Sequence, residues 1–246
     1  MSIAGLARRR VNDALRPFGV QVVRGRSSDP GIKDFLPAKK TIAAARRAGL
    51  SVGDFLDRYS AEPNATADAV EAMLRIGALG NDINRVCEIG PGSGRYAEKV
   101  IAALRPTSYE IYETARDWLH YLRRLPHLVE QPTDGHTLAA TASASVDLVH
   151  AHKLFPYIPF VTTFGYLEEM ARVARPGGVV AFDIVTEDCM DDAALKTWID
   201  QNATIYMLTP RAWTLDLLDR HGLTLLGSHF EPLSGAHTEL LVLRKR

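Results

Sequence analysis

Residues Val86-Cys87-Glu88-Ile89-Gly90-Pro91-Gly92-Ser93-Gly94-Arg95-Tyr96 decide how the rest of the chain can fold. The stretch starts as a short apolar run, continues into three glycines at alternate positions, and is followed by apolar residues at helical spacing as far as Leu104. We therefore predict a buried strand, a tight turn and a helix, in that order. Because glycine has no Cβ, a ligand can approach the backbone of such a turn, and the first N–H groups of the helix are free to bind it.

The chain beyond residue 82 alternates between short apolar runs and helical patterns. The predicted strands cover 85–89, 108–112, 127–130, 146–151, 179–184, 223–228 and 239–243, with a loop over 231–237 joining the last two. This alternation predicts an α/β fold with a Rossmann-like, mostly parallel seven-stranded sheet and helices on both faces. Residues 1–82 are predicted to form a helical N-terminal region, and 83–246 the sheet domain.

Composition excludes several classes of protein. The 246 residues carry a formal net charge of zero, which argues against a dedicated nucleic-acid binder. Cys87 and Cys189 are the two cysteines, too few for a disulfide framework or a cysteine-based zinc site. No apolar run is long enough to cross a bilayer, and no signal-type stretch follows Arg8-Arg9-Arg10. We therefore expect a cytoplasmic protein.

The first 50 residues are strongly basic, with eleven Lys and Arg residues against three Asp. Five apolar residues fit one face of a helix: Ile3, Leu6, Val11, Leu15 and Phe18. Such a basic amphipathic helix is typical either of a solvated element packed on the main domain or of weak contact with an anionic membrane surface. The sequence leaves both interpretations open, and it leaves the oligomeric state open, a homodimer included.

The glycine turn fits two classes of ligand. A dinucleotide fingerprint requires G-x-G-x-x-G, but its third glycine would fall on Arg95. The observed spacing is Gly90-x-Gly92-x-Gly94, and Glu88 precedes it. An acidic residue next to a pyrophosphate is unfavourable, whereas it suits a ligand with a cationic end. The turn therefore favours such a ligand over NAD.

These residues resemble the first motif of the class I S-adenosylmethionine-dependent methyltransferases. Further segments agree with that family in order and spacing, namely Glu113, Asp134-Gly135, Asp147-Leu148-Val149-His150 and Arg175-Pro176-Gly177-Gly178-Val179. The resemblance covers about residues 83–246 and implies S-adenosylmethionine as the cofactor. It implies that Glu113 binds both ribose hydroxyls and that Asp134 lies near the adenine amino group. The predicted cofactor-binding residues are Glu88, Gly90, Pro91, Gly92, Gly94, Glu113, Thr114, Asp134, Gly135 and His150.

Catalysis is expected beyond the carboxyl end of the fourth strand, as is usual for open parallel sheets. His150 and His152 alternate there, so they share one face if the strand persists. His152 lies farther out and is our leading general base for an alcohol acceptor. His150 and Tyr157 are further catalytic candidates, and His136 and Asp183 are weaker ones.

The absence of certain motifs narrows the range of possible methyl acceptors. No Asn-Pro-Pro-aromatic, Asp-Pro-Pro-aromatic or Pro-Cys sequence occurs, which argues against methylation of DNA amines or of cytosine C5. The segments 150–160 and 182–187 resemble small-molecule methyltransferases, and more faintly bacterial enzymes that O-methylate sugars and glycans. We therefore expect an O-methyltransferase for a small hydroxylated acceptor, a sugar or oligosaccharide included, with residues 1–82 as its lid.

Asp183, Glu187 and Asp191 are weak candidate ligands for Mg²⁺ near the end of the fifth strand. Three other functions stay open. They are a lipid- or quinone-type methyltransferase, a non-catalytic S-adenosylmethionine-binding regulatory module, and an NAD-dependent oxidoreductase.

Overall fold

The computed structural model describes residues 37–59, 62–200 and 206–246. The described helices are α1 (Ala38–Ala48), α2 (Val52–Tyr59), α3 (Ala65–Ile76), α4 (Arg95–Leu104), α5 (Arg116–Leu122), α6 (Phe160–Val173), α7 (Asp192–Asp200) and α8 (Arg211–Arg220). The strands are β1 (Arg85–Ile89), β2 (Ser108–Tyr112), β3 (Leu128–Glu130), β4 (Val146–Ala151), β5 (Ala174–Ile184), β6 (Leu223–Leu233) and β7 (Ala236–Lys245). The predicted basic helix with Ile3, Leu6, Val11, Leu15 and Phe18 lies outside the described residues.

The strands form one seven-stranded sheet in the order β3-β2-β1-β4-β5-β7-β6. Neighbouring strands are parallel from β3 to β5, and β7 runs antiparallel to both β5 and β6. The predicted α/β class and the mostly parallel sheet are therefore confirmed. None of the helices in the described ranges is both long and apolar enough to span a bilayer.

Alternation along the strands divides the core into two layers. One layer contains Val86, Tyr109 and Leu148 together with apolar residues of α1 to α4. The other contains Val149 and Phe182 together with residues of α6 and α8. Helices α1 to α3 thus share a core layer with the sheet, and the proposed domain boundary at residue 82 stays a prediction.

The closing hairpin is longer than predicted, and the predicted loop over 231–237 is wrong. Strands β6 and β7 pair until Leu233↔Ala236, so only Ser234 and Gly235 form the turn. Both have positive φ values, 46° and 83°, as expected for a two-residue hairpin turn. Pro232 indicated a loop, but it is tolerated within the ladder because β6 is the edge strand.

Strand β5 also begins earlier than predicted, because Ala174 pairs with Val146 before the register shifts at Leu148. The predicted Arg-Pro-Gly-Gly turn sits inside this irregular segment, where Gly177 has φ 78°. The adjacent Gly178 lies against the backbone of its neighbours. A Cβ added there would lie 2.9 Å from Arg175 O and 3.0 Å from Val146 O.

We expect Gly178→Ala to lower the free energy of unfolding by about 1–3 kcal/mol, since these backbone oxygens cannot move without disturbing the β4–β5 pairing. Urea unfolding followed by circular dichroism measures the change. Gly80→Ala is the control, because its added Cβ would have only Asp82 Oδ1 nearby, at 3.6 Å, and should change stability by less than about 0.5 kcal/mol. Equal stability of the two variants would contradict the crowding at Gly178.

Candidate active site

The glycine turn joins β1 to α4 in a conformation that side chains rarely adopt. Gly90, Gly92 and Gly94 have φ values of 64°, 52° and 76°. A Cβ on Gly94 would lie 2.7 Å from Leu122 Cδ2, so this glycine lets α4 and α5 pack closely. The turn therefore presents bare backbone at the carboxyl end of β1, followed directly by the start of α4 at Arg95.

Glu113 fastens this turn to the end of β2. Its Oε2 accepts a hydrogen bond from Gly92 N (2.6 Å), and its Oε1 accepts one from Ala115 N (2.6 Å). Burial raises the pKa of Glu113, while these backbone bonds act against the rise. A carboxylate has about four acceptor sites, and the backbone N–H groups of Gly92, Ala115 and Thr114 act on three of them, so about one stays available for a ribose hydroxyl. The arrangement fits the predicted ribose contact, which stays a prediction.

Asp134 lies in the loop after β3 and organises it. Its Oδ1 accepts bonds from His136 N (2.9 Å) and Thr137 N (2.7 Å), and its Oδ2 accepts one from Thr137 Oγ1 (2.7 Å). The Thr137 hydroxyl and the backbone N–H groups lower the pKa of this exposed carboxyl to about 2. A Cβ on the adjacent Gly135 would lie 3.9 Å from Thr114 Cγ2. The structure thus brings the predicted residues of the β2 and β3 ends together.

A buried hydrogen-bonded triad lies on the strands beneath the glycine turn. Tyr109 Oη donates to Glu88 Oε2 (2.7 Å) and lies 2.9 Å from His150 Nε2. Tyr109 and His150 are fully buried and Glu88 is 1% exposed. His150 on β4 is therefore fully buried beside Glu88 of β1, and Tyr109 holds its ring. It lies in a position less suited to a general base than His152.

His152 lies just beyond β4, buried at 4% exposure. Its ring stacks on Tyr96 at a centroid distance of 4.2 Å and an interplanar angle of 7°. Neither ring nitrogen has a hydrogen-bond partner among the described residues. Burial, with smaller repulsions from Lys153 and Arg95, lowers the pKa of His152 to about 3, so the ring is neutral at pH 7. Burying a polar atom without a hydrogen-bond partner costs free energy, so such atoms are typical of sites that bind a ligand or water.

Lys153 joins the ends of β4, β5 and the closing hairpin. Its Nζ lies 3.2 Å from Asp183 Oδ2 and 3.0 Å from Glu231 Oε2, and it also donates to Thr238 Oγ1. Its backbone N–H donates to Asp183 Oδ1 (2.6 Å), and its φ is 51°. Burial alone lowers the pKa of Lys153, but the two carboxylates outweigh burial and raise it. The ammonium therefore stays charged.

Tyr96 connects this cluster to His152. Burial raises the pKa of its phenol, on which Arg95, Glu231, Lys153 and Asp183 also act electrostatically. The Arg95 guanidinium carbon lies 5.0 Å from the centre of the Tyr96 ring. Glu231 Oε1 has no hydrogen-bond partner in the described part of the chain. A polar wall thus runs from His152 through Tyr96 to Glu231.

Sequence reasoning missed Tyr96, Lys153, Glu231 and Thr238. Glu231 was hidden because residues 231–237 were predicted as a loop, although Ser234-Gly235 is itself a hairpin signal, and Thr238 fell between that loop and the next predicted strand. Asp183, a weaker candidate base, is held by Lys153. His136 lies at the surface, 3.7 Å from Asp134, and the Tyr157 ring packs against Tyr206 at 5.6 Å.

The predicted magnesium ligands do not converge. Asp183 binds Lys153, Glu187 Oε2 accepts from Arg211 N at the start of α8, and Asp191 Oδ1 accepts from Ala194 N in α7. No group of three or more His, Cys, Asp or Glu side chains in the described ranges is placed to hold a metal ion. The structure gives Mg²⁺ no support.

The fold and the glycine turn together define a Rossmann-like methyltransferase. A sequence model of the methyltransferase-domain family matches residues 45–227. The chain therefore belongs to this family of S-adenosylmethionine-dependent methyltransferases, as the resemblance implied. No curated protein matches its sequence.

Solved structures share the fold at low sequence identity. A chain from the complex between the Haloferax volcanii Trm112 methyltransferase activator and a methyltransferase has TM-score 0.58 and 17% identity, covering 83% of this chain and 96% of that one. The N-methyltransferase NodS from Bradyrhizobium japonicum, in complex with S-adenosylhomocysteine, has a TM-score of 0.57 and 15% sequence identity. The match covers 83% of this chain and 98% of that one. An O-methyltransferase family protein from Burkholderia thailandensis has a TM-score of 0.58 and 17% sequence identity, and the match covers 86% of this chain and 63% of that one.

Glu113→Gln tests the ribose contact. The amide NH₂ cannot accept a hydrogen bond from Gly92, Ala115 or a ribose hydroxyl, so we expect at least about a tenfold loss of affinity for S-adenosylhomocysteine. 5′-Methylthioadenosine, which has the same ribose, should lose as much. Isothermal titration calorimetry measures both.

Glu130→Gln is the control, since this carboxylate pairs at the surface with Arg123. Its affinities should match those of the unmodified protein. Undiminished binding by Glu113→Gln would remove the ribose assignment.

Proposed function

We propose that this methyltransferase transfers the methyl group to a hydroxyl of a small hydroxylated acceptor, such as a sugar or oligosaccharide, in the cytoplasm. The observation that carries the proposal is His152, a buried neutral imidazole with both nitrogens unpaired at the carboxyl end of β4. A neutral imidazole has one lone pair and one N–H, so it can accept a proton from a hydroxyl and also hydrogen-bond a second one.

The residues around the glycine turn fit the cofactor. Bare backbone at Gly90, Gly92 and Gly94 leaves room for close approach, and the Glu113 carboxylate retains an acceptor site for a ribose hydroxyl. When bound, S-adenosylmethionine supplies a methyl group on a positively charged sulfur. Glu88, Pro91, Thr114, Asp134 and Gly135 are the other residues that we propose to line its site.

Methyl transfer requires the acceptor oxygen to lie in line with the methyl group and to lose its proton. In our proposal the His152 ring accepts that proton, while Tyr96 holds the ring flat by stacking. Glu231 Oε1 accepts a hydrogen bond from a neighbouring hydroxyl of the acceptor. Basic Arg95 and Lys153 and acidic Asp183 and Glu231 all act on this site, so neither sign of charge is present alone, which favours a neutral polyhydroxylated acceptor over an ionic one.

The N-terminal helices support the proposed role of residues 1–82 as a lid that selects the acceptor. Glu98 on α4 accepts hydrogen bonds from Ser51 Oγ (2.7 Å), Gly53 N (2.9 Å) and Tyr121 Oη (2.5 Å). These bonds attach the start of α2 to the helix that follows the glycine turn. Movement of α2 would therefore shift α4 and with it Arg95 and Tyr96.

Transfer of a labelled methyl group to a panel of acceptors tests the proposal. The panel contains methyl glycosides, polyols, phenols, amines and lipid dispersions. Labelling of glycosides or polyols is expected. Preferred labelling of amines would replace the hydroxyl acceptor, labelling of lipids would favour the lipid- or quinone-type alternative, and S-adenosylhomocysteine binding without turnover on any acceptor would favour a regulatory module.

His152→Ala is expected to lower kcat by about 10²–10⁴-fold, the usual contribution of a general base. Affinity for S-adenosylhomocysteine should stay within about threefold, because the proposed cofactor contacts remain. His152→Asn, which is closer in size and polarity, should also lose turnover, and this guards against a folding defect in the alanine variant.

His120→Ala is the matched control, since His120 is exposed on α5 and has no proposed role in the site. Its kcat should be unchanged. Near-normal turnover by His152→Ala would show that the base lies elsewhere or that none is needed.

A further inference from the structure

The Tyr109–Glu88–His150 triad combines burial with an uncompensated carboxyl group. Glu88 on β1 pairs in register with His150 on β4, and Tyr109 reaches both from β2. His150 Nδ1 has no hydrogen-bond partner within the described ranges. The triad is therefore a buried chain of hydrogen bonds beneath the glycine turn, and its last atom, His150 Nδ1, is unpaired among the described residues.

The groups around Glu88 do not supply a positive charge. Strand β2 contributes the Tyr109 hydroxyl, the residue after it contributes the Glu113 carboxylate, and β4 contributes the His150 ring. Arg95 and Tyr96 of α4 contact each other, and Tyr96 contacts His152. Cys87 on β1 is a buried thiol whose pKa is raised by burial, so it is neutral.

Such an environment favours the neutral carboxyl. Burial raises the pKa of Glu88 to about 8, Tyr109 opposes the rise and Glu113 adds to it. Burial lowers the pKa of His150 and raises that of Tyr109, so both are neutral between pH 6 and 8. Within the triad, Glu88 alone changes charge in this range.

We propose that Glu88 releases its proton to solvent when the ammonium group of the cofactor's amino-acid end binds, and that Tyr109 is the positioning residue whose hydroxyl donates to the resulting carboxylate. His150 Nε2–H then donates to the Tyr109 oxygen. No covalent bond changes other than the O–H bond of Glu88. This inference rests on cofactor binding by the family and is independent of the acceptor.

The sign of the pH dependence follows from this linkage. Below pH 8 the free protein holds the proton, so binding must displace it, and the affinity for a ligand with the amino-acid end rises with pH between 6 and 8. A ligand without that end displaces no proton. Its affinity therefore stays constant over the same range.

Isothermal titration calorimetry of S-adenosylhomocysteine, in buffers of different ionisation enthalpy, counts the released protons. We expect release of close to one proton at about pH 7, after correction by titrating the ligand alone for its own amino group. 5′-Methylthioadenosine lacks the amino-acid end and should release none. Glu88→Gln should abolish the release and make the affinity independent of pH.

Tyr109→Phe and Tyr112→Phe form a matched pair on β2. Both tyrosines are buried, but Tyr112 Oη bonds Thr141 Oγ1 (2.8 Å) on the other side of the sheet. At pH 7, Tyr109→Phe should bind S-adenosylhomocysteine about tenfold more weakly, because the carboxylate loses a hydrogen bond. This loss should shrink at higher pH and be absent for 5′-methylthioadenosine, whereas Tyr112→Phe should bind both normally.

S-adenosylhomocysteine binding without proton release, or equal release with 5′-methylthioadenosine, would overturn the inference and leave methyl transfer intact. A Tyr109→Phe loss that is the same at every pH and for both ligands would show a merely structural role and would also overturn it. Failure of the unmodified protein to bind S-adenosylhomocysteine at any pH would refute cofactor binding itself.

Discussion

The buried ammonium of Lys153 is the interaction on which the carboxyl edge of this sheet depends. Asp183 and Glu231 are both almost completely buried, and their charges would repel each other without a cation between them. Lys153 forms an ion pair with each of them and also donates to Thr238. Removing one partner of such a buried cluster typically costs about 3–5 kcal/mol, because it leaves a charge without compensation. The cluster therefore fixes where β4 ends relative to β5 and the closing hairpin.

Alternate residues along one face of β4 serve the proposed cofactor site and the proposed acceptor site in turn. Leu148, His150 and His152 point to one side because side chains alternate along a strand. Leu148 is core, His150 belongs to the triad beneath the glycine turn, and His152 meets Tyr96 at the outer end. Three alternate residues thus serve in turn the core, the proposed cofactor site and the proposed acceptor site.

The fold was predictable where sequence neighbours determine the structure. The bounds of β1, β2 and β4 match the prediction because short apolar runs ended by turn residues leave little choice. The Glu113 position was predictable for the same reason. The length of the closing hairpin was not, because Pro232 normally indicates a loop and only its edge position makes it acceptable. Lys153 was equally hidden, since nothing local shows that a lysine will be buried between carboxylates from two other strands.

This difference explains why the cofactor is easier to identify than the acceptor. The proposed cofactor site is made largely of backbone, whose course the glycines at 90, 92 and 94 enforce, so a short motif carries it. The proposed acceptor wall is made of side chains from β4, α4 and β6, which are far apart in sequence and can change without altering the sheet. An N-methyltransferase and an O-methyltransferase family protein accordingly share this fold at 15% and 17% identity. Membership of the methyltransferase family therefore indicates the donor, whereas the acceptor must be inferred from unpaired atoms such as those of His152 and Glu231.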